Sequence, residues 1–219
     1  MTKQLPKSLY LRQELLHLLQ TLYPEPKSEL IFTGDFQLLV SVMLSAQCTD
    51  KKVNQTTPAL FAKFPSFEAC SRAPLSDIEE ILHPINYFRT KAKNLIGLSK
   101  KICLEFDGKL PRNYDALLSL PGVGNKTANV VLSELGAALT FPVDTHVFRV
   151  SKRLGLTNGD DVLKVESELK KLFAPEQWRS LHHWLIFHGR RVCKAQRPLC
   201  PSCTLAKLCH YAARAKVPS

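Results

Sequence analysis

Wound as an α-helix, the segment FQLLVSVMLSAQ (36–47) is apolar on nearly every side. Such a helix is stable in water only when other helices surround it, so the segment predicts the central element of a helical bundle. Its last residues, Ser45, Ala46 and Gln47, are then expected to emerge at a surface or cleft. The rest of the chain offers the surrounding helices. Leu11, Leu15, Leu18, Leu19 and Leu22 share one face of a first helix, ended by the PEPKS stretch from Pro24. Ser76 and Glu79 form a capping-box pattern that predicts the start of another. Ala92, Leu95, Ile96, Ile102 and Phe106 line a longer helix stopped by Asp107 and Gly108. Val162, Val165, Leu169 and Leu172 give a further stripe, and PEQWRSLHHWLIFHG opens with Pro175 and closes on Gly189. No period-2 strand pattern and no fixed-period repeat accompanies them. The expected fold class is all-α.

Charge narrows the setting. Asp35 and Gln37 interrupt the apolar run LIFTGDFQLLVSVMLSAQ before it reads as a membrane span, which needs roughly 18 apolar residues. Lys7, Arg12 and Glu14 break up the N-terminal stretch, against a signal peptide. The expectation is a cytoplasmic protein, associated with the nucleoid if bacterial, without a membrane partner. There the seven cysteines are thiols or metal ligands rather than disulfides. Lys and Arg number 30 against 19 Asp and Glu, a net charge of +11, which points to a polyanionic partner, with nucleic acid first.

The stretch LPGVGNKTANVV (120–131) gives that partner a seat. NYDALLSL reads as a short helix, PGVG as a tight turn, and NKTANVVLSELG as a second helix with Ala128, Val131, Leu132 and Leu135 on its core face. Gly122 and Gly124 carry no side chain to block approach, so amides at the second helix's N-terminus can face a phosphate. Contacts of this kind grip a backbone without reading bases. A nucleotide-binding P-loop is a poor fit, because Asn125 separates Gly124 from Lys126 and no strand precedes the turn. Lys126 stands in the first helical turn. For a lysine to act there as a nucleophile at neutral pH, on the order of 3 kcal/mol must come from desolvation and its neighbours together. A nucleophilic Lys126 is therefore expected in a partly dry cleft.

Asp144, in FPVDTHVFRVSKRLGL, precedes the apolar run Val147, Val150 and Leu154 and fits a helix N-cap. The same carboxylate can also stabilise positive charge developing on a sugar. That role is favoured over deprotonating Lys126, because an ionised Asp144 beside the lysine would oppose its activation. Near the C-terminus, Cys193, Cys200, Cys203 and Cys209 form C-x6-C-x2-C-x5-C, four thiols within 17 residues. That density predicts a metal centre, and spacing alone leaves zinc and an iron–sulfur cluster equally open. Arg190, Arg191, Lys194 and Arg197 crowd among these cysteines after Gly189, as in a small separate module. Cys48, Cys70 and Cys103 lie scattered in helical stretches and read as small apolar residues.

LPGVGNKTANVV followed by VDTHVFRV and C-x6-C-x2-C-x5-C, with MLSAQCTD and HHWLIFHGRRVC, resembles the endonuclease III family of helix-hairpin-helix DNA glycosylases. The resemblance runs from about Leu30 to Cys209. It implies two helical domains, a six-helix barrel at 28–138 carrying the hairpin and a 4Fe-4S cluster domain from 1–27 and 139–219, with a DNA cleft between them. It implies a bifunctional repair enzyme, a monomer acting on duplex DNA that holds an oxidised pyrimidine or an abasic site. Such enzymes flip the damaged nucleotide out of the stack. On this pattern Lys126 attacks C1′ and forms a Schiff base whose β-elimination nicks the strand, and Asp144 is the catalytic aspartate. Gln47 fills the hole left by the flipped nucleotide, Tyr87 wedges into the opposite strand, Gly122, Val123 and Gly124 hold phosphate, and Lys194 and Arg197 make the cluster loop basic. Cys193, Cys200, Cys203 and Cys209 carry the 4Fe-4S cluster. The chain departs from the pattern at Asn86, where Gly is common, at Tyr87, in place of Leu or Phe, at Cys48, where Ala or Thr is common, and at Leu199, where a basic residue often stands. The rival readings are a monofunctional mismatch glycosylase, a non-catalytic DNA-binding iron–sulfur protein and an electron-transfer protein.

Overall fold

The computed structural model describes residues 8–214, and they form two compact units, Ser28–Ala138 and the combination of 8–27 with 139–214. The first contains α2 (Gly34–Ser45), α3 (Asp50–Lys63), α4 (Phe67–Ser71), α5 (Leu75–Leu82), α6 (Phe88–Glu105), α7 (Tyr114–Leu118) and α8 (Asn125–Glu134). The second contains α1 (Leu9–Leu22), α9 (Thr145–Leu154), α10 (Val162–Leu172), α11 (Pro175–Arg191) and α12 (His210–Arg214), with short 3-10 turns at Cys200–Ser202 and Ala206–Leu208. No strand occurs among the described residues, and no described helix is long and apolar enough to cross a membrane.

In the first unit α2 does what its composition demands. Every residue from Leu38 to Leu44 is buried, and the helix ends at Ser45 so that Ala46 and Gln47 come out exposed. α6 lays Ala92, Leu95, Leu98 and Ile102 into the same core. It stops at Phe106, followed by Asp107 and Gly108 with left-handed φ of 51° and 72°. Each such leucine removed from water contributes about 2 kcal/mol of transfer free energy, so the buried faces outweigh the helices' weak intrinsic stability. The expected capping box at Ser76 does not form. α5 begins two residues earlier, at Leu75 after Pro74, whose carbonyl accepts from Ile78 N, and the Ser76 hydroxyl turns to Asp77 instead.

The second unit closes around α11. Leu15 and Leu19 of α1, Val147, Val150 and Leu154 of α9, and Val165 and Leu169 of α10 share one core with Leu181 and Leu185. α1 is tied at its end by Trp184 Nε1, which donates to Tyr23 O at 2.8 Å. Two expectations are corrected here. Gly189 does not stop α11, which runs on to Arg191; it is buried where α9 crosses. A Cβ at that position would lie 3.0 Å from His146 Cβ and 3.1 Å from Val150 Cγ2, so the glycine serves close helix approach. The cysteine-rich segment is not a separate module either. Leu205 is fully buried in this core, and Cys193, Cys203, Leu208 and Cys209 pack against it.

Candidate functional site

The hairpin is built by local rules. Leu120, Pro121, Gly122 and Val123 form a β-turn closed by Val123 N donating to Leu120 O at 3.1 Å, with Gly122 at φ 79°. Proline second and a left-handed glycine third is the residue choice a type II turn requires. A Cβ on Gly122 would lie 2.8 Å from Asn94 Cβ, so the turn also packs tightly against α6. Leu120 and Val123 are buried and anchor the turn, whereas Gly122, Gly124 and Lys126 are exposed. Gly124 caps α8 with no side-chain hydrogen bond, which leaves the first-turn amides to an outside acceptor. Lys126 is the second residue of α8. Within its own unit the residue is exposed.

Asp144 belongs to the second unit and is the N-cap of α9, its Oδ1 accepting from Val147 N at 2.7 Å. The carboxylate is half-buried, and the cap engages Oδ1 and not Oδ2. His146, in the first turn of α9, is held below its ordinary pKa by burial, with Asp144 opposing and Arg149 and Arg190 assisting.

Gln47 and Tyr87 share an unusual property. Both are exposed and both occupy left-handed backbone, at φ 53° and 59°. Asn86 Nδ2 donates to Gln47 O at 2.8 Å and joins the two turns. Lys91 is buried, and its Nζ donates to Ala46 O at 2.7 Å and Leu44 O at 2.9 Å. Burial pulls the Lys91 ammonium below its usual range, with Cys48 opposing. Neither contact is foreshadowed in the sequence, because the paired residues stand 39 to 47 positions apart.

The four cysteines of the C-terminal segment line a single cavity with Arg153, His188, Leu199 and Tyr211. Burial raises the Cys203 and Cys209 thiols above their usual range, so a bound metal would have to displace their protons. Arg153 donates to Cys193 Sγ at 3.4 Å and holds the following loop through Lys194 O and Ala195 O at 2.7 and 3.0 Å. Arg149 adds contacts to Cys193 O and Gly189 O. His188 bridges Tyr23 OH at 3.2 Å and Cys203 Sγ at 3.5 Å. Among the described residues no set of three or more acidic, histidine or cysteine side chains is gathered as for a single ion. Lys194 and Arg197 are exposed on the loop between Cys193 and Cys200, Arg197 with φ 49°. The arginines of α9 were not singled out by sequence; their spacing of four on one helix was the available signal.

Residues 40–175 match the family model described as HhH-GPD superfamily base excision DNA repair protein. Endonuclease III of Synechocystis sp. is 47% identical over 197 residues, covering 90% of both chains. Among solved structures, a trapped endonuclease III–DNA covalent intermediate is similar with a TM-score of 0.88 and 41% identity, covering 95% of this chain and 99% of that one. A non-covalent endonuclease III–DNA complex is similar at the same TM-score and identity, covering 95% and 98%. The chain therefore belongs to the endonuclease III family, within the HhH-GPD superfamily.

Proposed function

We propose that the protein removes oxidised pyrimidines from duplex DNA and then nicks the strand at the abasic site, acting as a monomer in the cytoplasm. The observation that carries the reading is the placement of Lys126 two residues beyond an uncapped glycine turn, so that a backbone grip and an amine share one helix end. With phosphate on the first-turn amides, Lys126 Nζ attacks C1′ of the flipped nucleotide. The C1′–N bond breaks and the base leaves with its electron pair, taking up the proton that Nζ gives up; the C1′–O4′ bond then opens, O4′ takes up a proton from solvent, and the nitrogen lone pair completes the iminium. Loss of a C2′ proton then expels the 3′ oxygen. Asp144 stabilises the positive charge that develops on the sugar, through the carboxylate oxygen its helix cap does not use. Because Lys126 is exposed in the free protein, the water-poor surroundings a lysine nucleophile needs come from the bound DNA. Gln47 and Tyr87 occupy the space vacated in the duplex.

The cysteine cavity suits a 4Fe-4S cluster. Cys193, Cys200, Cys203 and Cys209 surround one space, and Arg153 places a cation against a ligand sulfur, where it offsets the excess negative charge of four thiolates. When bound, the cluster supplies Fe–S bonds that pin the loop carrying Lys194 and Arg197, which then contact phosphates.

Borohydride trapping on duplex DNA with one oxidised pyrimidine tests the reading, comparing the wild type with Lys126→Ala and Asp144→Asn. A covalent adduct lost on removal of Lys126 is expected. Failure of wild-type protein to form an adduct on DNA that it binds would leave a monofunctional glycosylase or a binding protein.

A further inference from the structure

Two exposed side chains on left-handed backbone, Gln47 and Tyr87, raise a question of cost. Such backbone is disfavoured for any residue but glycine, and it persists only where its surroundings dictate it. At Gln47 a local turn bond, Cys48 N donating to Ser45 O at 3.0 Å, is joined by three side-chain hydrogen bonds. The carbonyls of Leu44, Ala46 and Gln47 lie at or just past the end of α2, where helical partners run out. Lys91 Nζ takes the first two and Asn86 Nδ2 the third. The Lys91 charge sits at the negative end of the α2 dipole, which favours it there. Asn86 and Lys91 also frame Tyr87 in the chain, and Lys91 N donates to Tyr87 O at 3.0 Å as the first bond of α6. The two side chains therefore hold the Gln47 turn against the segment that carries Tyr87.

We propose that Asn86 and Lys91 are positioning residues that join Gln47 and Tyr87 into one rigid piece, so that both enter the duplex together when a nucleotide is flipped. This rests on the reading above that Gln47 and Tyr87 occupy the opened duplex. Preorganisation is the physical gain: two separately mobile turns would each have to be ordered at the moment of insertion, whereas tethered turns are ordered beforehand. The amide of Asn86 bears on Gln47 alone, while the ammonium of Lys91 holds the end of α2 from which that turn departs.

Single-turnover base removal distinguishes this role from plain stabilisation. Wild type, Asn86→Ala and Lys91→Met are compared on two duplexes, one with the oxidised pyrimidine fully paired and one with it inside an unpaired bubble, where strand separation is already complete. Melting temperatures are measured alongside; if Lys91→Met fails to fold, Asn86→Ala carries the test. The expected result is a loss of about ten- to a hundredfold on the paired duplex and less than about threefold on the bubble. Equal losses on both duplexes, or none on either, would overturn the tether. Gln47→Ala and Tyr87→Ala run in parallel. If these two are as fast as wild type on the paired duplex, the assignment of the inserting residues fails, and the tether with it; if they are slow while the Asn86 and Lys91 variants are not, the tether alone fails.

Discussion

The hairpin at Leu120–Lys126 and the turn at Gln47 both present exposed groups beyond a buried helix or anchor, and both close with a local turn bond, but only the second leans on distant side chains. The hairpin is held by its own backbone: one turn bond, one left-handed glycine and two buried neighbours, all within a few residues. The Gln47 turn closes with the same kind of bond, Cys48 N donating to Ser45 O at 3.0 Å, but it carries glutamine at its left-handed position and is held in addition from outside, by an amide and an ammonium 39 to 47 residues further along the chain. A self-held element needs particular residues at particular positions and tolerates no extra atoms. An externally held one can place a non-glycine residue on costly backbone, which is useful where that residue's side chain has work to do.

The largest effect expected from either region is chemical. Lys126→Ala should lower strand nicking by at least about a thousandfold while leaving melting unchanged, because the exposed side chain contributes no packing. A large loss of stability in that variant would break the description of the hairpin as self-held. Next is Gly122→Ala, which places a methyl against Asn94 on left-handed backbone and should cost about 2–3 kcal/mol in thermal or denaturant unfolding. Asp144 separates capping from chemistry: Asp144→Ala should lose about 1 kcal/mol of stability, and Asp144→Ser should recover most of it without recovering activity. At the tethered turn the sign reverses. Gln47→Gly should leave stability unchanged or raise it by up to about 1 kcal/mol, since the left-handed strain is relieved, while base removal slows. The smallest effect concerns His146. Its pKa in the folded protein lies below the unfolded value because burial disfavours the charged ring, so acid favours the unfolded chain, which takes up the proton more readily. Stability should therefore fall as pH drops through the ordinary histidine range, and His146→Gln should make that slope shallower.

What could be read from sequence follows the same division. The helix-hairpin-helix, the Asp144 cap and the all-round apolar α2 were legible because turn, cap and periodicity rules act over a few residues. Gly189 was misread as a helix stop because glycine has two uses, and only the crossing of α9 against α11 shows which applies. Ser76 was misread because Pro74, which fixes its own φ, set the helix start before the serine could. The cysteine segment suggested a separate module from its composition, yet Leu205 carries it into the core built by α1, α9 and α11. Lys91 gave no warning at all, since one lysine among several on α6 becomes distinctive only when its ammonium is seen on the carbonyls of α2.

The bond between Trp184 and Tyr23 spans 161 residues and that between His188 and Tyr23 spans 165. On a ribosome these distances become waiting times. The residues from Ser28 to Ala138 are contiguous and can complete their core as soon as they emerge, whereas α1, made before them, has its partner helix only when α11 arrives. A helix synthesised ahead of that core is thus buried after it, and its apolar stripe stays open to mispairing while the intervening residues are made.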